Sequence, residues 1–192
     1  MAYVAGSLPF SNMVARSWVG IDLRGVATGT VSVTNVHRVA GLRAAMLAAV
    51  LDGGKGGLAL LVLKHQFPAA LPIGAGAVVA GHNWSPMLRG AGGRGLAPSI
   101  GALLVINRPA AAVLLGGLLF GRITGDTAPF ALAGQIALIP AMAIHEGPTG
   151  ALKGAAVVLP MLAKRLLGNA RLGHPRTRWA YLTRLVYDRD AR

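Results

Sequence analysis

Three polar clusters interrupt an otherwise apolar sequence, and each contains residue types that bind phosphate. The first is a loop at 22–38, which combines hydroxyl groups, an amide and arginines. Hydroxyl and amide donors beside fixed cations suit a phosphate group, although the same composition is typical of an ordinary solvated connector. If the loop binds an anion, the donors that we expect to contact it are Thr28, Thr30, Thr34, Asn35 and Arg38.

The second cluster is the segment Asp52-Gly-Gly-Lys55-Gly-Gly, which lies inside an apolar stretch. A charged side chain at membrane depth costs about 2.5 to 3.5 kcal/mol on insertion scales, so two of them need a physical reason. One interpretation is that Asp52 and Lys55 neutralise each other on one helix face. The other is that the pair marks a polar cavity in which Lys55 is available to an anion.

The third cluster is a glycine-rich loop, which starts with Gly81-His82 and ends with Gly92-Gly93-Arg94-Gly95. Glycine allows the backbone to turn several N–H groups towards one anion, and an arginine adds a bidentate donor. His82 could orient this loop or accept a hydroxyl proton, but an isolated histidine is more often structural. The loops at 20–43 and 83–96 can share one anion only if they meet on the same side of the molecule.

The elements that position these clusters are long and apolar. Hydrophobic residues make up 54% of the 192 residues and charged residues 13%, and this apolar content exceeds that of typical soluble domains. A membrane-spanning helix needs about 20 mostly apolar residues. We therefore predict an all-α, polytopic transmembrane helical bundle. Its candidate spans are 2–19, 40–63, 67–82, 97–120, 128–145 and 149–168.

The number of crossings follows from one interruption and from the distribution of charge. Asn107-Arg108-Pro109 interrupts the span 97–120, and proline disfavours helix at the residue before it. Splitting that span gives about seven spans or half-spans. Because short cytoplasmic loops carry most Lys and Arg, the basic first and third loops place the N-terminus outside and the C-terminus in the cytoplasm. We expect a transmembrane domain at 1–168 and a basic cytoplasmic tail at 169–192.

The formal net charge of +13 indicates an anionic partner. The basic residues lie between apolar blocks and near the C-terminus, which fits anionic lipid headgroups better than nucleic acid. Aromatic residues make up 5% of the chain and are not interleaved with basic ones, so we expect no nucleic acid partner. Residues 1–8 lack a positive n-region, so we expect no cleaved signal peptide. The chain has no cysteine, which excludes thiolate metal sites, and we expect neither a metal nor a cofactor.

Together and in order, these clusters resemble motifs of the bacterial integral membrane glycerol-3-phosphate acyltransferases that use acyl phosphate as donor. Gly6-Ser7-Leu8-Pro9-Phe10 resembles the opening of that family. The loop at 22–38 resembles the family's G-S-G-N-x-G-A-T-N-x-x-R motif, 52–56 resembles its D-x-x-K-G motif, and 81–95 resembles G-H followed by G-G-K-G. The resemblance covers about residues 6 to 101.

The chain also departs from the family pattern. The replaced positions in the two loops are Ala27, Thr28, Thr30, Ser32 and Arg94, of which the last stands for a lysine. Arginine keeps the charge of lysine but binds phosphate with a different geometry.

A further departure concerns a His and an Asn that the family carries near its C-terminus. In the alignment that matches Arg184-Leu185, Arg178 and Tyr181 stand at their places, and His174 lies nearby as a substitute.

The resemblance implies a transferase of phospholipid synthesis in the inner (plasma) membrane, with several crossings. The reaction that it implies moves a fatty acyl group from acyl phosphate to the 1-position of glycerol 3-phosphate. An acyl thioester is an alternative donor, and membrane lipids are further expected partners. By resemblance, the catalytic residues are His82, Lys55 and Arg94, and the substrate-binding residues are Thr28, Thr30, Thr34, Asn35, Arg38, Gly92, Gly93, Gly95 and Ser7.

Two other function classes stay open at the level of sequence. A catalytically degenerate paralogue that binds lipid phosphate or acts as a subunit would account for the missing His and Asn. A small transporter of organic anions would also need cations at membrane depth, but no inverted repeat is visible in the sequence.

Overall fold

The computed structural model describes residues 1–169 and 178–188, and these ranges contain helices and no strand. The all-α prediction is therefore confirmed for the described chain. Its α-helices are α1 (Ala2–Ser7), α2 (Phe10–Val19), α3 (Val33–Gln66), α4 (Leu71–Asn83), α5 (Leu96–Ile106), α6 (Arg108–Thr124), α7 (Thr127–Leu167) and α8 (Arg178–Tyr187).

The first predicted span is broken in the middle. We expected one helix over 2–19, but α1 ends at Ser7 and α2 begins at Phe10. Pro9 causes the break, because it lacks a backbone N–H and forces the preceding residue out of helical geometry. Leu8 accordingly has an extended conformation, with φ −59° and ψ 119°. The prediction of a single span is wrong here, and the break frees the carbonyl group of Leu8 for another partner.

Helix α3 consists of two parts with different roles. Its backbone leaves helical geometry at Gly41, so that a short first part and a long second part meet there. The first part begins at Ser32, whose Oγ accepts a hydrogen bond from the backbone N–H of Asn35. The second part carries Asp52 and Lys55 in its buried face.

The predicted interruption of the span 97–120 is confirmed. Helix α5 ends at Ile106, and α6 starts two residues later with Pro109 in its first turn. Asn107 lies between them, and its Oδ1 accepts a hydrogen bond of 2.9 Å from the backbone N–H of Ala110. This side-chain cap satisfies a donor of α6 that would otherwise lack a partner.

Helix α7 reverses its direction, as the two predicted spans 128–145 and 149–168 require. The backbone leaves helical geometry at Gly147. A side-chain carbon placed on Gly154 would lie 3.1 Å from the Cα of Ile139, fifteen residues earlier. In a straight helix those two residues would be about 22 Å apart. The two arms of α7 therefore lie side by side and form a hairpin.

Among the described residues, α3 and α7 are the two helices that are long and apolar enough to cross a membrane, and α5 is a shorter apolar helix. The main apolar core lies between α4, α5, α6 and both arms of α7. A second core packs α2 and α3 against the loops at 23–31 and 88–91. This second core holds the two polar loops near each other.

Helices α3 and α5 pack closely against each other. A side-chain carbon on Gly56 would collide with the backbone carbonyl oxygen of Pro98. Glycine is therefore required at Gly56 because of close packing, as is common where helices meet in membranes.

Polar contacts show which loops share an end of the bundle. Lys64 donates a hydrogen bond to the carbonyl oxygen of Val105, and Asn107 donates one to Glu146. Glu146 also forms an ion pair of 2.6 Å with Lys153. The turns after α3, after α5 and within α7 are thus at one end. The loops before α3 and α5 lie at the other end.

The crossing of α3 and α5 predicts a difference between two glycines of α3. We expect Gly56→Ala to lower the free energy of unfolding by about 1 to 3 kcal/mol, because the new methyl group must displace the backbone of α5. Gly54→Ala is the matched control, since nothing lies within 4 Å of a side-chain carbon placed there. Both are measured by equilibrium unfolding in detergent. Equal stability of the two variants would contradict the described crossing.

Candidate active site

Two polar loops meet at one end of the bundle. The backbone N–H of Val31 donates a hydrogen bond of 3.1 Å to the carbonyl oxygen of Gly92. The backbone N–H of Gly93 donates one of 3.2 Å to the carbonyl oxygen of His82. The first loop is therefore joined to the glycine-rich loop, which is itself folded back on the end of α4. This confirms the requirement that the loops at 20–43 and 83–96 lie together.

Asn169, just after α7, connects the same two loops. Its Nδ2 donates hydrogen bonds to the carbonyl oxygens of Gly29 (3.0 Å) and Gly92 (2.8 Å). Its Oδ1 accepts a hydrogen bond of 3.2 Å from the backbone N–H of Gly92. One amide side chain thus joins three segments that are far apart in sequence. We had not predicted this residue, because nothing in the local sequence distinguishes it from a polar residue in a tail.

The loops surround a cavity of about 680 Å³. Both Arg38 and Arg94 line it, so cations from two loops share one space. The predicted site residues that line the cavity are Thr28, Thr30, Thr34, Asn35, Arg38, His82, Arg94 and Gly95. Its apolar wall comes from α5, α6 and the first arm of α7.

The hydroxyl-rich loop is ordered by its own polar contacts. The hydroxyl groups of Thr28 and Thr30 are 2.9 Å apart. Asn35 donates a hydrogen bond of 2.7 Å to the carbonyl oxygen of Thr30 and accepts one of 3.4 Å from Arg38. The interpretation of this stretch as an ordinary solvated connector does not fit, because its side chains face a cavity and contact one another.

Asp22 stabilises the start of this loop, which lies outside the α-helices. Asp22 accepts hydrogen bonds from the backbone N–H and the guanidinium of Arg24, and it also pairs with Arg16. The hydrogen bond from the Arg24 side chain holds the pKa of Asp22 well below its ordinary value, against a smaller opposing effect of burial. Asp22 is therefore ionised at neutral pH.

Arg94 is held on two sides. One terminal nitrogen donates a hydrogen bond of 2.7 Å to the carbonyl oxygen of Lys164, and the other pairs with Asp188 at 2.7 Å. Its Nε is buried and has no hydrogen-bond partner among the described residues. The described contacts of this guanidinium are therefore made by its two terminal nitrogens.

A third arginine at the cavity comes from the end of α7. Arg165 is 2% exposed, lines the cavity, and donates hydrogen bonds to the carbonyl oxygens of Ala128 and Leu185. Its Nε also has no partner within 1–169 and 178–188. Arg165 is not among the residues predicted for the site, because an arginine after an apolar helix is the ordinary pattern for a cytoplasmic boundary.

Below the cavity, Asp52 and Lys55 form a buried ion pair of 2.6 Å. Ser11 donates a hydrogen bond of 2.5 Å to the other carboxylate oxygen, and Lys55 donates one of 2.6 Å to the carbonyl oxygen freed at Leu8. The two interpretations of this pair are therefore both partly right. The charges neutralise each other, and Asp52 also lines the cavity, while Lys55 itself does not.

His82 connects this ion pair to the glycine-rich loop. Its Nδ1 lies 3.0 Å from Nζ of Lys55. Because an ammonium group only donates, we assign Nδ1 as the acceptor and place the proton of a neutral ring on Nε2. Neither ring nitrogen then has a free lone pair. The geometry favours His82 as the residue that orients the loop, rather than as the acceptor of a hydroxyl proton.

Three predicted contact residues lie outside the cavity lining. Ser7 donates its hydroxyl hydrogen bond to the carbonyl oxygen of Tyr3, within α1. The N–H groups of Gly92 and Gly93 are engaged by Asn169 and by the end of α4, so they are not turned towards an anion. A side-chain carbon on Gly93 would collide with Nε2 of His82. Close approach, and not anion binding, explains this glycine.

Comparison with known proteins shows to which family the chain belongs. The sequence model of the glycerol-3-phosphate acyltransferases matches residues 1–171. The chain belongs to this family. The match ends two residues after Asn169, so Arg178, Tyr181 and Arg184 lie beyond it. The family model therefore does not test the alignment that placed them at the family's C-terminal motif, which stays a prediction, and His174 lies outside the described residues.

Related acyltransferases match different shares of the chain. A glycerol-3-phosphate acyltransferase of Thermus thermophilus is 41% identical over 109 residues, which span 56% of this chain and 54% of that protein. The match thus spans about half of that relative. Glycerol-3-phosphate acyltransferase 5 of Dehalococcoides mccartyi is 30% identical over 203 aligned residues, with 99% of this chain and 86% of the relative covered.

Two crystal structures of PlsY (YgiH), an integral membrane glycerol 3-phosphate acyltransferase, have the same fold. The glycerol 3-phosphate form has a TM-score of 0.69 at 26% identity, and covers 88% of this chain and 90% of the other. The lysophosphatidic acid form has a TM-score of 0.71 at 22% identity, and covers 85% and 84%. The protein is therefore an integral membrane protein of this fold.

The buried ion pair predicts a non-additive effect on stability. We expect Lys55→Met to lower the free energy of unfolding by about 3 to 5 kcal/mol, because it leaves the Asp52 carboxylate buried without its cation. The double variant Asp52→Asn/Lys55→Met should be more stable than Lys55→Met alone, since no unpaired charge remains. Lys64→Met, an exposed lysine of the same helix, is the control. A double variant less stable than the single one would refute this account of the pair.

Proposed function

We propose that this protein transfers a fatty acyl group from acyl phosphate to the 1-hydroxyl of glycerol 3-phosphate. The products are lysophosphatidic acid and inorganic phosphate, and the reaction belongs to phospholipid synthesis. Family membership supports the reaction class. The observation that links this reaction to the cavity is that Arg38, Arg94 and Arg165 line it together with several hydroxyl groups. Two phosphate-bearing substrates need this kind of convergent positive charge.

The residues of the cavity suit binding and positioning more than proton transfer. The hydroxyl oxygen attacks the acyl carbonyl carbon, the bond from that carbon to the phosphate oxygen breaks, and the hydroxyl proton ends on the departing phosphate. Acyl phosphate is already activated, so holding the two substrates in line supplies much of the rate. Arg38 and Arg94 would bind the phosphate groups and stabilise the charge that develops during transfer. Neither a metal nor a cofactor is needed for this balance of atoms.

The apolar wall of the cavity suits the acyl chain. Leu96, Ile100, Leu118 and Ala131 come from α5, α6 and the first arm of α7, and they line the same cavity as the arginines. A chain with a charged head would thus place its head among the arginines and its tail between the helices. The same arrangement would serve an acyl thioester donor, which the assay below separates from acyl phosphate.

The catalytic role is tested with purified protein in detergent, acyl phosphate and glycerol 3-phosphate. We expect Arg94→Ala and Arg38→Ala each to lower kcat/KM for phosphate release by about a hundredfold, which is the effect of removing one charge-stabilising donor. Arg89→Ala and Arg43→Ala are matched controls, since both arginines are exposed and neither lines the cavity. A parallel reaction with acyl thioester identifies the donor.

The controls also separate the enzyme from a degenerate paralogue. Wild-type protein that binds glycerol 3-phosphate but releases no phosphate with either donor would overturn the acyltransferase proposal. Loss of activity in all four arginine variants alike would instead remove the assignment of Arg38 and Arg94 to the site.

We also propose a multi-pass topology in the inner membrane, with the cavity at the cytoplasmic side, the N-terminus outside and the C-terminus inside. The support is charge: Arg24, Arg38, Arg43 and Arg89 all belong to the end with the cavity, which the positive-inside rule assigns to the cytoplasm.

Because the chain has no cysteine, single-cysteine variants test this orientation directly. Phe67→Cys lies at the end opposite the cavity and is 56% exposed at that position, and Arg89→Cys lies at the cavity end. In intact cells, a membrane-impermeant maleimide should label Phe67→Cys, and it should label Arg89→Cys only after permeabilisation. The reverse pattern would invert the proposed topology.

A further inference from the structure

Helix α8 lies beyond the residues that the family model matches, yet it forms part of the cavity wall. Two arginines hold it against the end of α7. Arg165 donates to the carbonyl oxygen of Leu185, and Arg184 donates to the carbonyl oxygens of Leu166 and Leu167. These contacts place the last described residues, Tyr187 and Asp188, in the lining of the cavity.

Asp188 forms an ion pair with Arg94, the residue whose guanidinium is expected to bind phosphate. Its carboxylate lies 2.7 Å from Arg94, and the side chains of Arg94 and Asp188 are 10% and 26% exposed. Arg165 lies within electrostatic range of both groups. A carboxylate just after α8 therefore serves as the counter-ion of the arginine cluster, at the place where a substrate anion would do the same.

We propose that Asp188 competes with phosphate groups for Arg94, so that α8 sets how tightly the cavity binds its anionic ligands. The inference rests on the proposed function, because it takes Arg94 as a phosphate-binding residue. A carboxylate fixed on an adjacent helix has a high effective concentration at Arg94. A ligand phosphate must displace it, so the apparent dissociation constant equals the intrinsic one divided by the fraction of molecules in which Arg94 is free of Asp188. Release of the inorganic phosphate product becomes easier by the same factor.

The test uses Asp188→Asn in the full chain and inorganic phosphate as the probe. Asp188 has a left-handed backbone conformation, with φ 52°, which asparagine adopts readily and alanine does not. Asn therefore removes the charge with little change of backbone or volume. We expect the dissociation constant for inorganic phosphate, measured by calorimetry in detergent, to fall about three- to tenfold, as for a partly buried ion pair.

Two further variants make the result specific. Glu146→Gln removes a carboxylate from an ion pair at the opposite end of the bundle and should leave phosphate affinity unchanged. Arg94→Ala should itself lose phosphate binding, and Asp188→Asn should not restore binding in that background, because the residue for which the two anions compete is gone.

The outcomes separate the inference from the proposed function. Unchanged or weaker phosphate binding in Asp188→Asn, with binding still lost in Arg94→Ala, would overturn the competition and leave the phosphate site intact. Wild-type phosphate affinity in Arg94→Ala would remove Arg94 as a phosphate ligand, and the proposed function of this cavity would fail with it.

Discussion

The constraint on which this structure depends is the burial of an ammonium group in an apolar helix bundle. Lys55 is 6% exposed and Asp52 is 1% exposed, and isolated charges at such depth are costly. Lys55 is satisfied by the carboxylate of Asp52, the carbonyl oxygen of Leu8 and the ring of His82. These partners belong to different segments of the chain. Satisfying one charge therefore fixes the break between α1 and α2 and the end of α4, from which the glycine-rich loop starts.

The candidate site is made of helix ends and loops, supported by a second layer of polar contacts. Asn169 and the main chain of Gly92 join the two loops, and the buried ion pair holds His82 beneath them. Few of these supporting groups are available to a ligand. Arg94, which does face the cavity, is held by the carbonyl oxygen of Lys164 and by Asp188, so its charge is positioned before a ligand binds.

The sequence predicted the helical class, the interruption near Pro109 and the reversal near Gly147, because proline, glycine and apolar length act locally. It also predicted most of the cavity lining in 28–38. It missed Asn169, whose role depends on contacts with residues 70 or more positions away in the sequence. It also missed Arg165, whose role depends on the packing of α8 against the end of α7. Gly92 and Gly93 were misinterpreted for a related reason. A glycine required for close packing and a glycine that presents its N–H to an anion look the same in one sequence.

The order in which the chain is synthesised gives the buried lysine a further significance. Asp52 and Leu8, two of the partners of Lys55, are made before it, so α1 to α3 can enter the bilayer with this charge already compensated. The order of synthesis is reversed for Arg94, because its partners, the carbonyl group of Lys164 and the carboxylate of Asp188, are both made much later than Arg94 itself. The scaffold can thus settle early in translation, whereas the contacts that hold Arg94 can form only after residues 164 and 188 have been synthesised.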